Sequence, residues 1–325
     1  MVKTGILGQG IYLPPKKLTN LDLEKIVETS DEWIRTRTGI QERRVVSNEK
    51  TSELASKAAI NALENSKIPA SKIDLIVVAT ASPDSNFPSL ACKVQKAIGA
   101  SKAFAFDINA VCAGYLYALT TAKQYIQTGM ANYALVIGAE NFTSLIDWQD
   151  RNTCVLFGDG AGACVLGPVT SGGILADYLM AFGSQCDLMH VVAGEKRSPF
   201  HPDTTQSKLP YVVMHGQELF KLAVASMADA VDEVLKKAKI KKEEVACVIP
   251  HQANDRIISA VAKKLNIPKE KIFVNIEKYG NMSAASIAVA MYEAEESKRI
   301  KKGDYVVLVV FGAGLVSAAN VVKWS

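Results

Sequence analysis

Residues 63–82, LENSKIPASKIDLIVVATAS, read as the end of a helix, a proline-containing turn and a strand apolar at consecutive positions. The same order returns at 235–253, LKKAKIKKEEVACVIPHQA. It continues on both sides: VQKAIGASKAFAFDINAVCAG (94–114) lines up with VAKKLNIPKEKIFVNIEKYGNMSAAS (261–286), and FGDGAGACVLG (157–167) with FGAGLVSAANV (311–321). Three matches in one order, offset by about 150 to 170 residues, mark a duplicated domain rather than a short solenoid repeat. Further apolar runs, YALVIGA (133–139) and YVVLVVFG (305–312), alternate with helical patterns. TSELASKAAINALENSKI (51–68) opens with a cap region containing Ser52, and QELFKLAVASMADAVDEVLKKAKI (217–240) carries its apolar residues at i, i+3, i+4 spacing. The chain is therefore expected to be α/β, built as two similar halves over 1–170 and 171–325 that pack as a pseudo-dimer.

Composition bounds what such a chain can be. Its 325 residues are 49% hydrophobic and 22% charged, enough for a large core and unlike a disordered segment. The net charge of +4 is mild, and cations are interleaved with acids, so neither nucleic acid nor a membrane is an expected partner. No run of about 18 apolar residues is present, and MVKTGILGQGIYLPPKK lacks the apolar core of a signal peptide, which points to the cytoplasm. Six cysteines without a CxxC pair suit reduced thiols.

One of those cysteines stands apart. In INAVCAGYLYAL (108–119), Cys112 sits among small residues where a strand-like run gives way to a helix-like one. A thiol at the first turn of a helix meets free amides and the positive end of the dipole, which favours thiolate and nucleophilic chemistry. Cys92, Cys154, Cys164 and Cys247, in apolar contexts, read as packing residues. Of four histidines, His251 alone ends an apolar strand, in VIPHQANDRII. Asn281, after Gly280, fits a turn or cap, and its amide could also join a histidine in stabilising a developing enolate oxygen. The repeat brings these three strand-to-helix junctions toward one another. His190 and His201 fall in a Gly/Pro/Ser-rich stretch that reads as a long loop; with Asp203 they match no standard metal spacing, and no metal is expected. GILGQG lacks the third glycine of a dinucleotide fingerprint, and FGAGL lacks the Lys-Ser/Thr of a phosphate loop; its backbone N–H groups instead suit a reacting oxygen.

At these residues the sequence resembles the thiolase-fold condensing enzymes, most closely the β-ketoacyl-[acyl carrier protein] synthase III family. TSDEWIRTRTGIQERR (29–44), NAVCAGY, DRNTCVLFGDGAGA (150–163), PHQANDRII (250–258) and KYGNMSAAS (278–286) match its signatures in order across nearly the whole chain. The resemblance implies a thiolase-like fold of two duplicated halves in five layers. It also implies a cofactor-free ping-pong reaction: Cys112 is acylated by a short acyl-CoA, usually acetyl-CoA, and then attacked by the carbanion from decarboxylating malonyl-[acyl carrier protein], with His251 and Asn281 holding the enolate. By the same resemblance, the backbone N–H groups of Cys112 and Ala313 form the oxyanion hole. Trp33, Arg37 and Arg151 hold the nucleotide end of CoA, and Gly216, Phe220 and Asn254 line its pantetheine channel. Lys221, Arg256, Lys263 and Lys264 meet the acyl carrier protein. Phe142 lines the acyl pocket with Phe87 reaching in from the second chain of a homodimer, two rings that favour short primers.

Two other readings stay open on the sequence alone. One is a related enzyme of specialised metabolism that processes thioesters without decarboxylation; the other is an inactive homologue acting as a binding partner.

Overall fold

The computed structural model describes residues 2–191 and 211–325. Strands β1 (Thr4–Tyr12), β2 (Leu75–Ala79), β3 (Phe104–Ile108), β4 (Ala134–Glu140) and β5 (Gly160–Pro168) form one sheet in the order β1-β5-β4-β2-β3. Strands β6 (Gly173–Ala181), β7 (Val245–Pro250), β8 (Tyr305–Gly312) and β9 (Val316–Lys323) form a second sheet in the order β7-β8-β9-β6. The two share a topology. In the first, β2 runs parallel to β4, and β5 lies antiparallel to both β4 and β1; in the second, β7 runs parallel to β8, and β9 lies antiparallel to both β8 and β6, with only the strand equivalent to β3 cut short. The third strand of the later sheet is reduced to a single parallel bridge, Val248 to Ile272.

Seven helices of two or more turns are described: α1 (Asp31–Thr38), α2 (Thr51–Ser66), α3 (Leu90–Ile98), α4 (Gly114–Gln127), α5 (Gly216–Ala238), α6 (Asp255–Leu265) and α7 (Ala285–Glu296). They complete the expected five layers. α2 and α3 cover the outer face of the first sheet, α5 and α6 the outer face of the second, and α4 with α7 fill the space between the sheets. The inner strands β2 and β8 are apolar at nearly every position because both of their faces are buried. Along β2, Leu75, Val77 and Ala79 face the central helices while Ile76 and Val78 face α2 and α3; along β8, Val306, Leu308 and Val310 face inward and Val307 and Val309 outward.

The repeat is also written in the backbone. α2 ends on Lys67 at φ 57° and α5 on Lys239 at φ 58°; α3 ends on Gly99 at φ 72° and α6 on Asn266 at φ 53°. The turns entering α4 and α7 carry Val111 at φ 45° and Ser283 at φ 46°. Three pairs of left-handed residues thus recur in order, and the third pair aligns Cys112 with Ala284.

Some expectations are corrected here. The segment read as a loop around His190 begins in a strand: Met189–Val191 pairs antiparallel with Val212–Met214, His190 facing Val213 in the register. His201 and Asp203 lie outside the described residues. Cys92 is exposed rather than packed inside. The start of α2 is capped not by Ser52 but from a distance, Asp84 accepting the Ser52 N–H at 3.1 Å.

Two contacts fix the central layer. Gly138 on β4 has no room for a side chain, since a Cβ there would lie 2.4 Å from the Ala284 carbonyl oxygen. Lys123 on α4, almost fully buried, pairs with Asp177 on β6 at 2.6 Å, and Asn320 donates to the same carboxylate at 2.8 Å. Gly138→Ala is expected to cost about 1–3 kcal/mol by forcing α7 off the sheet. Gly183→Ala, with nothing within 4 Å, is expected to change stability by less than about 0.5 kcal/mol. Urea unfolding of the two variants checks this, and equal midpoints would contradict it.

Candidate active site

Cys112 lies on a 3-10 turn, Val111–Ala113, between β3 and α4. Its position depends on strain at Val111, a β-branched residue at positive φ, which the surrounding packing must enforce. His251 immediately follows β7, its backbone N–H donating to Val309 O at 2.8 Å. Asn281 is held by a backbone exchange with the 156–158 segment: its N–H donates to Leu156 O at 2.9 Å, and its carbonyl accepts from the Gly158 N–H at 3.0 Å. Its side-chain oxygen accepts the Ser283 N–H at 2.8 Å, so the amide group is oriented with its NH2 left to face the cavity.

These three side chains, from three distant parts of the sequence, line one cavity of about 160 Å³ together with Phe311, Gly312 and Ala313. Gly312 permits the approach: a Cβ there would sit 3.2 Å from the Cys112 nitrogen and 3.1 Å from that of Ala113. The 312–313 turn therefore lies against the amide side of Cys112. Gly216, Phe220 and Asn254 line the same cavity on the α5–α6 side. Asn254 also caps α6, accepting the Arg256 N–H at 2.9 Å. Gln252, which sequence reading passed over, clamps the His251 loop: its amide donates to Pro250 O at 2.7 Å, and its oxygen accepts the Asn275 N–H at 2.9 Å and the Ile276 N–H at 3.2 Å.

Burial holds both the thiol and the imidazole of the site in their uncharged forms. Burial pushes the Cys112 thiol up to about 12, with the Glu140 carboxylate adding to the effect; the nearby Ser283 hydroxyl works the other way. The expected thiolate-favouring effect of the helix terminus is outweighed by desolvation. Burial likewise pushes His251 down to about 3, so its ring is uncharged at neutral pH, and neither ring nitrogen has a hydrogen-bond partner among the described residues. An uncharged imidazole can still donate from one nitrogen.

Glu140 is the residue that the sequence reading missed. It ends the wholly buried strand β4 at 0% exposure, and its carboxylate accepts the Ala81 and Ser82 N–H groups, each at 3.1 Å, and the Ser82 hydroxyl. The available signal was a lone acid closing an apolar run, YALVIGAE. Burial raises it to about 7.

The outer residues fall into groups. Arg37 and Arg151 both lie over the Trp33 ring, 5.6 and 4.8 Å from its centroid, so the trio is assembled. Lys221, Arg256, Lys263 and Lys264 are exposed on α5 and α6. Phe142 is buried and stacked on Phe157, with centroids 4.6 Å apart. It forms part of the wall of a second, open cavity of about 880 Å³ that also touches Val111, Tyr117 and Ala313. Phe87 is 85% exposed and lines neither cavity of its own chain. Among the described residues no group of three or more potential metal ligands is present, and no helix is long and apolar enough to cross a membrane.

Comparison with known proteins agrees with this geometry. Residues 106–183 match the family description 3-oxoacyl-[acyl-carrier-protein] synthase III, and residues 235–324 match that of its C-terminal part. The β-ketoacyl-[acyl-carrier-protein] synthase III of Caldanaerobacter subterraneus subsp. tengcongensis is 51% identical over 100% of this chain and 98% of its own. That of Clostridioides difficile is 50% identical over 99% of each. The crystal structure of the Aquifex aeolicus 3-oxoacyl-[acyl-carrier-protein] synthase III superposes with a TM-score of 0.93 at 49% identity, covering 99% of this chain and 100% of that one. With the Cys112 turn, the His/Asn cavity and the duplicated sheets all in place, the chain belongs to the β-ketoacyl-[acyl-carrier-protein] synthase III family of thiolase-fold condensing enzymes.

Proposed function

We propose that Cys112, His251 and Asn281 carry out the condensing reaction of this family: an acyl-CoA is joined to malonyl-[acyl carrier protein] to give the 3-oxoacyl product, CoA and CO2, the step that initiates fatty acid biosynthesis. The observation that carries the residue assignment is their convergence on one small, largely apolar cavity from three separate strand-to-helix junctions. In the first half-reaction the Cys112 sulfur attacks the thioester carbonyl, and the amides of Cys112 and Ala313 receive the oxyanion. In the second, loss of CO2 from the malonyl group leaves an enolate whose oxygen takes hydrogen bonds from the neutral His251 ring and the Asn281 NH2. Apolar walls, including Phe311 and Phe220, favour a step in which a carboxylate becomes neutral CO2. No metal or organic cofactor enters this scheme, because decarboxylation itself supplies the carbanion.

The remaining assignments extend the same reading. The nucleotide of CoA docks at Trp33, Arg37 and Arg151, and its pantetheine follows Gly216, Phe220 and Asn254 inward. The carrier protein, an acidic partner, meets Lys221, Arg256, Lys263 and Lys264. The enzyme acts in the cytoplasm as a homodimer, since the exposed Phe87 and the sheet-edge strand β3 both await a partner surface. Phe87 would then complete the acyl pocket of the second chain, opposite Phe142.

Three outcomes test the reading. Cys112→Ser is expected to abolish acyl-enzyme formation without unfolding the chain, measured by intact mass after acetyl-CoA treatment; acyl label on another cysteine would reject the assignment. His251→Ala or Asn281→Ala is expected to slow condensation by about 100- to 1000-fold while sparing acylation. Equal loss in both half-reactions would remove the enolate role. Finally, acetyl-CoA is expected to outperform octanoyl- and decanoyl-CoA, because each methylene without space costs burial and adds strain of about 1–3 kcal/mol. Efficient wild-type use of the long primers would show that Phe142 does not limit the pocket.

A further inference from the structure

Arg43 stands on a short ribbon in which Lys17–Thr19 pairs antiparallel with Glu42–Arg44. Its side chain is wholly buried, and among the described residues no carboxylate forms an ion pair with it. A guanidinium taken out of water without a counter-charge is costly, so its compensation must come from the neutral acceptors around it. Nη1 donates to Leu18 O at 3.2 Å and to Asn20 Oδ1 at 2.9 Å, while Nη2 donates to Val155 O at 2.7 Å. Two of these acceptors lead to the same place. With its oxygen turned to the cation, Asn20 points its Nδ2 the other way, donating to Asp31 Oδ1 at 2.9 Å and to Ile40 O at 2.8 Å. Asp31 opens α1 and Ile40 lies just past its end, so one buried amide grips both ends of the helix that carries Trp33 and Arg37. Val155 closes the helical turn Arg151–Cys154, at whose start stands Arg151, its Nη1 donating to Glu28 O at 3.1 Å.

We propose that Arg43 is a positioning residue that assembles the nucleotide end of the CoA site: its fork holds α1, through Asn20, and the Arg151 turn, through Val155, at the spacing where Arg37 and Arg151 both lie over the Trp33 ring. This rests on the nucleotide of CoA docking at that trio. Ile34 and Ile40 share one apolar cluster with Cys154 and Val155, which brings the helix and the turn together. Apolar contact is non-directional, however, and does not fix how two elements are turned toward each other. A planar guanidinium with donors in a rigid fork does. Lysine in its place would present a single point charge, unable to reach Asn20 and Val155 at once. Arg43 does not line the cavity of Cys112, so its influence on acylation runs through the binding of CoA. The Arg43 Cβ does lie against Gly158, in the segment that exchanges hydrogen bonds with Asn281. Acylation, in which Asn281 has no proposed part, is therefore the half-reaction that isolates the effect.

Binding lost equally from ground and transition states raises the half-saturating substrate concentration and leaves the limiting rate alone. Single-turnover acylation of the full-length enzyme, read by intact mass, is compared for acetyl-CoA and for acetyl-pantetheine, which carries the same thioester and arm without the nucleotide. Arg43→Lys is expected to raise half-saturating acetyl-CoA about tenfold, the scale of a lost stacking and cation–π contact, with its limiting rate and all use of acetyl-pantetheine unchanged. Asn20→Asp keeps an acceptor for Arg43 but loses the donors to Asp31 and Ile40, and is expected to move the same constant in the same direction. Unchanged half-saturation by acetyl-CoA in folded Arg43→Lys, or an equal loss on the two thioesters, overturns the clamp; if that variant does not fold, Asn20→Asp decides by the same criteria. Trp33→Ala separates the clamp from the reading beneath it. It is expected to lose acetyl-CoA binding and to spare acetyl-pantetheine whatever Arg43 does, and a Trp33→Ala enzyme with no loss specific to acetyl-CoA would reject the nucleotide site itself.

Discussion

The contact between Gly138 and the Ala284 carbonyl is the constraint on which the site depends. It sets how closely α7 can lie on the first sheet, and α7 brings Ser283 with it, and Asn281 through the bond from the Ser283 N–H. Gly114, opposite Ala79 and Ala284, does the same for the start of α4 and so for Cys112. Small residues at these points let two helices from different halves share one thin layer. A methyl group added at Gly138 would be felt as a displaced amide across the cavity, because close-packed interiors transmit strain.

Burial then sets the chemistry. The thiol is raised, the imidazole lowered and the carboxyl raised, all by the same loss of water, so each group rests in its uncharged form or near the balance point. This is a site poised to handle charge only when substrate brings it. On the proposed function, an enolate oxygen arriving there would meet fixed donors and little competing solvent, which is where such donors are most effective.

Much of this was legible in the sequence, for physical reasons that differ from element to element. The strands and helices declared themselves because burial on two faces demands unbroken apolar runs, and duplication made each run its own control: LIVVA and VACVIP announce the same strand twice. Cys112, His251 and Asn281 were visible because each closes a strand or opens a helix. Glu140 and Gln252 were far less so, since each acts through bonds to loops distant in sequence, and the lone acid closing an apolar run, the one local sign of Glu140, fits a sheet end facing water equally well. The protonation of Cys112 was misjudged for a related reason: a helix terminus can be read from spacing, whereas the depth at which a thiol is buried is a property of the assembled layers. The ribbon around His190 escaped notice because its two strands are short and widely separated.

The ion pair between Lys123 and Asp177 places two opposite charges from the earlier and later parts of the chain in the middle of the protein, with Asn320 completing their bonding. α4 supplies the cation and also the walls of both sheets' inner faces. A ribosome that has released only the residues through β5 has therefore made a helix with one apolar side uncovered and a lysine whose counter-charge does not yet exist. The nascent first half cannot reach its final form until β6 emerges, and the Cys112 turn that leads into α4 matures only with the second half in hand.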